Sequence, residues 1–276
     1  MNAQWTPPQA CDRPGAAQND LTNGLDLLVP LIPRDLRHSA ILLDVDGTIL
    51  DIAPTPQAVQ VPESLRRTLA AVCEAADGAL ALVSGRPLSD LDAIFAPLRL
   101  PAIGGHGAEI RPVAGGGTIE RRAAGLDPRF KQTLQDIAAR HPGVMVEDKG
   151  YSIALHYRLV PKEGPALVAE VKQACKVWSD QSIEPLAGKA VIEIKAAEFN
   201  KGTAVRELMN HPPFAGRTPI FIGDDKTDED AFAVMPEFNG HAISVGRRVP
   251  GIDEHFGSPA DVRGWLERLA GGVAVS

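Results

Sequence analysis

The chain has 276 residues, 44% of them hydrophobic, and a formal net charge of −7. That is apolar material for one large domain or two modest ones. An acidic balance with no broad basic surface speaks against nucleic acid or an anionic membrane as partner. Three cysteines (Cys11, Cys73, Cys175) stand far apart without CxxC spacing, and seven histidines are scattered. This argues against zinc and for a reducing compartment. No apolar run reaches the ~18 residues of a membrane span, and the N-terminus lacks the basic-then-apolar form of a secretory signal. The expectation is a cytoplasmic monomer.

In chain order, residues 1–37 read as a loose tail rich in Pro, Gly and Ala, with "LDLLVPLIP" as a short helix. "SAILLDVDG" reads as a buried strand running into Asp44. "VPESLRRTLAAVCEAADG" is a helix with Pro62 in its first turn and Gly78 past its end. "ALALVSG" and "PAIGGHGAE" are further strands, with a helix from about Pro87 between them. Alternating strands and helices imply an α/β, doubly wound parallel sheet. After Arg111 the pattern changes. A hairpin at "VAGGGTIERR" precedes a helix capped by Asp127, with Phe130, Leu134 and Ile137 on one face. Two strands around Gly150, a helix "GPALVAEVKQACKVW" and a strand "KAVIEIKA" follow. The alternation resumes at "FNKGTAVRELM" and closes on a helix from Ser258–Pro259, with Val262, Trp265, Leu266 and Leu269 inward. The expected organisation is a core over 38–111 and 199–276 with an inserted α+β unit over 112–198.

In open parallel sheets, functional groups collect at the carboxyl ends of the strands. The residues there are Asp44, Asp46 and Thr48 after one strand, Ser84 and Arg86 after the next, and Asp224, Asp225 and Asp228 after "PIFIG". Lys201 opens the helix that follows the insertion. Singly, each piece reads as a polar turn, a cap or a solvated charge. Together they place several acids, one lysine, one small hydroxyl and helix N-termini in one pocket. Crowded carboxylates repel unless a hard divalent cation takes their oxygens. The constellation describes a phosphoryl-transfer site with its metal.

The segments Asp44-Val45-Asp46-Gly47-Thr48, Ser84-Gly85-Arg86, Asn200-Lys201-Gly202 and Gly223-Asp224-Asp225-x-Thr227-Asp228 resemble the four motifs of the haloacid dehalogenase (HAD) superfamily of phosphatases. With "SGRPLSDL", "GGHGAE", "NKGTAV" and "FIGDDKTDEDAF", residues 40–269 resemble the trehalose-6-phosphate phosphatase family. The resemblance implies a Rossmann-like HAD core with a type 2 cap, and hydrolysis of a sugar phosphate through an aspartyl-phosphate. It implies Asp44 as nucleophile and Asp46 as acid and base. Thr48, Ser84, Gly85 and Lys201 become phosphate-binding residues. It implies Mg²⁺ on Asp44, the backbone carbonyl of Asp46 and Asp224, with Asp225 and Asp228 orienting its waters.

Period-two geometry puts Glu147 and Lys149 on one strand face of the insertion, His156 and Arg158 on another, and Lys189 with Val191, Glu193 and Lys195 on a third. The pattern alone fits a solvated face with cross-strand ion pairs as well as a reader of hydroxyl groups. The resemblance implies sugar contacts at Glu147, Lys149, Arg158, Lys189 and Glu193, with Arg86 also on the substrate. "KAAEFNKG" departs from the family by carrying Ala196 and Ala197 where Pro and Gly are usual. Two rival chemistries share the motifs: a phosphatase for sucrose 6-phosphate or a glycosylglycerate phosphate, and a non-catalytic sugar-phosphate sensor. A receiver domain also combines acids, a hydroxyl and a lysine, but it needs neither this length nor a cap.

Overall fold

The computed structural model describes residues 36–52, 59–115, 120–121, 125–178, 182–188 and 190–273. The expected helix at "LDLLVPLIP", and Lys189, lie outside these residues. The larger sheet begins with β1 (Ser39–Asp44), every residue of it buried. Helix α1 (Glu63–Ala75) follows and buries Leu65, Leu69, Val72 and Cys73, the one-sided spacing of an amphipathic helix. Fully buried leucines of this kind contribute roughly 2 kcal/mol each. Then come β2 (Leu80–Val83), α2 (Leu88–Phe95), β3 (Ala102–Gly104) and β4 (Glu109–Arg111). A two-residue strand, β5 (Glu120–Arg121), completes this half.

The smaller unit comprises α3 (Pro128–Ala139), β6 (Met145–Asp148), β7 (Ser152–His156), α4 (Gly164–Val177), β8 (Ile183–Gly188) and β9 (Val191–Ala196). The chain returns through α5 (Lys201–Leu208), β10 (Thr218–Gly223), α6 (Glu229–Phe232), β11 (His241–Val245), β12 (Glu254–Phe256) and α7 (Pro259–Val273). The larger sheet has the order β12-β11-β10-β1-β2-β3-β4-β5, parallel from β12 to β3. The smaller is antiparallel, β6-β7-β9-β8. Each sheet has its own hydrophobic cluster. One is centred on Ile41, Leu42, Phe221 and Trp265; the other joins Phe130, Leu134 and Ile137 to Ile153, Leu155, Ile192 and Ile194.

The edge of the larger sheet is a hairpin. β4 and β5 pair antiparallel on the edge of the larger sheet, so a cut at 112 falls inside a hairpin. Arg111 explains the attachment. Its buried guanidinium donates to both Asp92 oxygens (2.9 and 2.7 Å) and to the Leu100 carbonyl, fastening β4 to α2 and to the loop that follows it. Among the described residues, the hydrophobic cluster of the smaller unit runs from Leu126 onward. Among the described residues no helix is long and apolar enough to cross a membrane.

The two cap helices are joined by His141, which is buried. Its Nδ1 faces Glu163 (2.8 Å) and its Nε2 faces Glu170 (3.2 Å). The hydrogen bond to Glu163, with help from Glu170, holds the imidazole above its ordinary pKa. A raised histidine stabilises the fold fully below about 6.5, and that contribution fades as pH rises through the folded-state value. The melting temperature of the wild type is therefore expected to fall between pH 6 and 8 by more than that of His141→Gln. Parallel pH profiles for the two proteins would remove His141 as the cause.

Candidate active site

Sheet register assembles the site. Asp44, the last residue of β1, lies level with Val83 on β2, and Leu43 lies level with Ile222 on β10. Asp44, Ser84 and Asp224 therefore emerge side by side from three adjacent strand ends. Gly47 makes the return of the chain possible. Its φ is +96°, and a Cβ there would collide with the Asp224 carboxylate. Only glycine permits both at little cost.

Lys201 opens α5, whose start is fixed by a capping box. The Asn200 side chain accepts from the Thr203 N–H (2.8 Å), and the Thr203 hydroxyl accepts from the Asn200 N–H (3.2 Å). From there Lys201 Nζ reaches Asp44 Oδ1 (2.7 Å) and Asp228 Oδ1 (2.6 Å), with all three side chains almost fully buried. Asp44, Asp224 and Asp228 each offer an oxygen within 4.8 Å of the others. At that separation two like charges repel by about 3 kcal/mol in a medium of effective dielectric 20.

Burial and the neighbouring Asp224 push the Asp44 carboxyl up to about 7 against the pull of Lys201. Burial and Asp44 push Asp228 up to about 8. Asp224 is also raised, by burial and then by Asp228 and Asp225. Burial alone would lower Lys201, but Asp228 and Asp44 outweigh it and hold the ammonium above its usual range. Three carboxylates and one ammonium leave a formal −2. A hard divalent cation with oxygen ligands fits both that charge and that donor set.

Other expected residues lie close by, some in different employment. The Thr48 hydroxyl donates to Asp224 Oδ1 (3.1 Å), so it steadies an acid. Ser84 Oγ accepts from the Arg86 N–H (3.1 Å). Arg86 grips Asp46 with two parallel bonds, Nε to Oδ2 (2.6 Å) and Nη2 to Oδ1 (2.7 Å). Asp225 caps the short turn at 226–228, accepting from Thr227 and Asp228 N–H groups.

On the smaller sheet Glu147, Ala154 and Glu193 lie level across three strands. Lys149 Nζ donates to both Glu193 oxygens (3.3 Å each), and the Ser152 hydroxyl donates to Oε1 (2.7 Å). Glu193 and Lys149 are mostly covered, whereas Glu147 is half exposed and pairs with His156. Arg158 lies past the end of β7 and is exposed.

Residues 42–254 match the trehalose-phosphatase family. The chain belongs to that family. It is 37% identical over 226 residues to the trehalose-6-phosphate phosphatase of Escherichia coli (strain K12), covering 82% of this chain and 84% of the relative. To the probable trehalose-phosphate phosphatase of Sinorhizobium fredii (strain NBRC 101917 / NGR234) it is 40% identical over 265 residues, covering 95% and 98%. The solved C-terminal domain of C. albicans trehalose-6-phosphate phosphatase shares the fold, with a TM-score of 0.75 over 90% of this chain and 98% of that one at 24% identity. The HAD phosphatase architecture expected from the motifs is the architecture found.

This trehalose-phosphatase chain also uses a residue the sequence reading passed over. Arg247 follows β11 and donates from Nε to the Asp224 carbonyl (2.7 Å), and from Nη2 to the Asp225 carbonyl (2.7 Å) and Glu229 (2.9 Å). It fastens the backbone of the acid loop from behind. Partners of this kind commonly govern metal affinity by 10–100-fold. Arg247→Met is expected to weaken divalent-cation binding at the acid cluster by about tenfold. An unchanged affinity in a metal titration would assign the bonds to stability alone.

Proposed function

We propose that the protein hydrolyses trehalose 6-phosphate to trehalose and inorganic phosphate with Mg²⁺, through an aspartyl-phosphate on Asp44. The observation that carries the reading is the convergence of Asp44, Asp224, Asp228 and Lys201, from distant segments, into one buried cluster. In the first step an Asp44 oxygen forms a bond to phosphorus as the bond from phosphorus to the sugar oxygen breaks, and Asp46 gives its proton to that oxygen. In the second, water attacks the phosphorus, its proton passes to Asp46, and Asp44 is released. Lys201 and Ser84 offer donors to the phosphoryl oxygens, and Lys201 favours the ionised nucleophile. Asp44, the Asp46 carbonyl and Asp224 would hold Mg²⁺, with Asp228 and Asp225 beside them. When bound, the ion offsets the phosphoryl charge. Arg86 holds both Asp46 oxygens and so orients this carboxyl.

The Lys149–Glu193 pair supports a sugar-reading role for the smaller unit, because a carboxylate accepts from hydroxyls and an ammonium donates to them. Arg158, Glu147 and Lys189 belong to the same proposal, as does action by a monomer in the cytoplasm.

The deciding experiment is phosphate release from a panel of sugar phosphates with and without EDTA. Turnover of trehalose 6-phosphate above the other esters, abolished by EDTA and restored by Mg²⁺, is expected. Preference for sucrose 6-phosphate or a glycosylglycerate phosphate would change the substrate. Binding with no phosphate release would make the protein a sensor.

A further inference from the structure

The "GGHG" segment takes no part in the proposed chemistry, yet it touches the loop after β2, the start of α5 and the smaller unit. Three consecutive residues are left-handed: Gly105 (φ +57°), His106 (+54°) and Gly107 (+104°). That conformation is uncommon for a residue with a side chain, and histidine is one of the few that adopt it. The His106 N–H donates to the Ser84 carbonyl (3.1 Å) and the Gly105 N–H to the Arg86 carbonyl (2.8 Å), tying the turn to the loop after β2. The imidazole lies so close to Gly85 that a Cβ there would strike it. Gly107 lies against the Asn200 backbone, the residue that caps α5 immediately before Lys201.

The cap reaches the same turn. The Tyr151 ring covers Gly105, leaving no room for a side chain, and the Glu193 carboxylate lies 3.8 Å from His106 Nε2. That distance is beyond a hydrogen bond and closes to one with a movement of less than about an ångström. Two buried polar atoms here lack a protein partner, His106 Nδ1 and Tyr151 Oη. Two such groups in one small volume, at the meeting of both units, call for an explanation beyond packing.

We propose that the Gly105–Gly107 turn relays docking of the cap to the phosphoryl-binding groups, with His106 as its positioning residue. The proposal rests on reading the site as a sugar-phosphate phosphatase. Sugar held by Lys149 and Glu193 fixes the Glu193 carboxylate against Nε2. The imidazole in turn fixes Gly85 and Ser84, and Gly107 fixes the step from Asn200 to Lys201. Burial keeps the imidazole neutral, its pKa pushed down to about 4, so this contact, once closed, is a hydrogen bond and not an ion pair.

Two measurements test the relay. In the protein without substrate, amide hydrogen exchange at residues 84–86 and 200–202 is compared between wild type and Tyr151→Ala, a change made wholly in the cap. Exchange faster by about threefold or more at both segments is expected; rates equal to wild type overturn the proposal, whatever the substrate. In the second, His106→Ala is assayed on trehalose 6-phosphate and on p-nitrophenyl phosphate, which has no sugar for the cap to hold. The ratio of the two kcat/KM values is expected to fall by about tenfold or more. A proportional loss on both esters would make His106 a prop for the loop and overturn the relay. Wild-type protein that hydrolyses the aryl ester and not trehalose 6-phosphate would refute the substrate reading, and the exchange comparison would still decide the relay.

Discussion

Asp44→Asn is expected to lower kcat for the sugar phosphate by at least about a thousandfold, the scale on which removing a catalytic nucleophile acts. An amide is no nucleophile toward phosphorus, while its shape preserves the strand end and one acceptor for Lys201. The same change is expected to stabilise the metal-free protein at alkaline pH. The Asp44 carboxyl is raised to about 7 by burial and by Asp224. The folded state therefore holds its proton more tightly than the unfolded chain does. That contribution is complete below about pH 4 and is lost as pH rises through about 7. Asparagine cannot ionise and loses nothing across this window. At pH 8 without metal, Asp44→Asn should melt on the order of 5 °C above wild type, and at pH 4 the two should coincide. Turnover within tenfold of wild type would end the assignment of Asp44 as nucleophile.

Lys201→Met should damage both chemistry and fold. It deletes two short charge-assisted hydrogen bonds, to Asp44 and Asp228, inside a cluster where almost no water reaches. Removing one preorganised cationic donor from such a site costs about 10²–10³ in kcat. Breaking a buried ion pair by deleting one partner costs about 3–5 kcal/mol, because the other charge is left uncompensated. Protonation of Asp44 and Asp228 softens that loss at low pH. The deficit in melting temperature should therefore widen from pH 5 to pH 8, as those raised carboxyls ionise with no cation beside them. Differential scanning calorimetry across that range, with kcat at saturating Mg²⁺, checks both halves. An equal melting temperature at pH 8 would mean that the lysine is not what neutralises the cluster.

The parts of the site legible in the sequence were those encoded by position along strands. Asp44, Ser84 and Asp224 each stand at or just beyond the end of a short apolar run, and parallel register brings such ends together. The inward faces of α3 and α7 followed from helical spacing in the same way. What escaped was encoded in weaker runs. β8 contains Pro185 and Gly188, residues unfavourable in a strand interior but tolerated on the sheet edge where this strand lies. β11 and β12 are only five and three residues long. With β11 unseen, Arg247 had no strand end to announce it. The pairing of Arg86 with Asp46 was hidden for another reason. Two groups expected to face a substrate also face each other, and no linear pattern distinguishes those partners.

The hydrophobic clusters of the two units have no residue in common. Residues distant from one another and without shared partners change stability nearly additively, so drift in either interior is largely invisible to the other. With the smaller unit reading the sugar as proposed, a change of preferred ester can be accommodated in one interior while the packing behind Asp44 is left as it was.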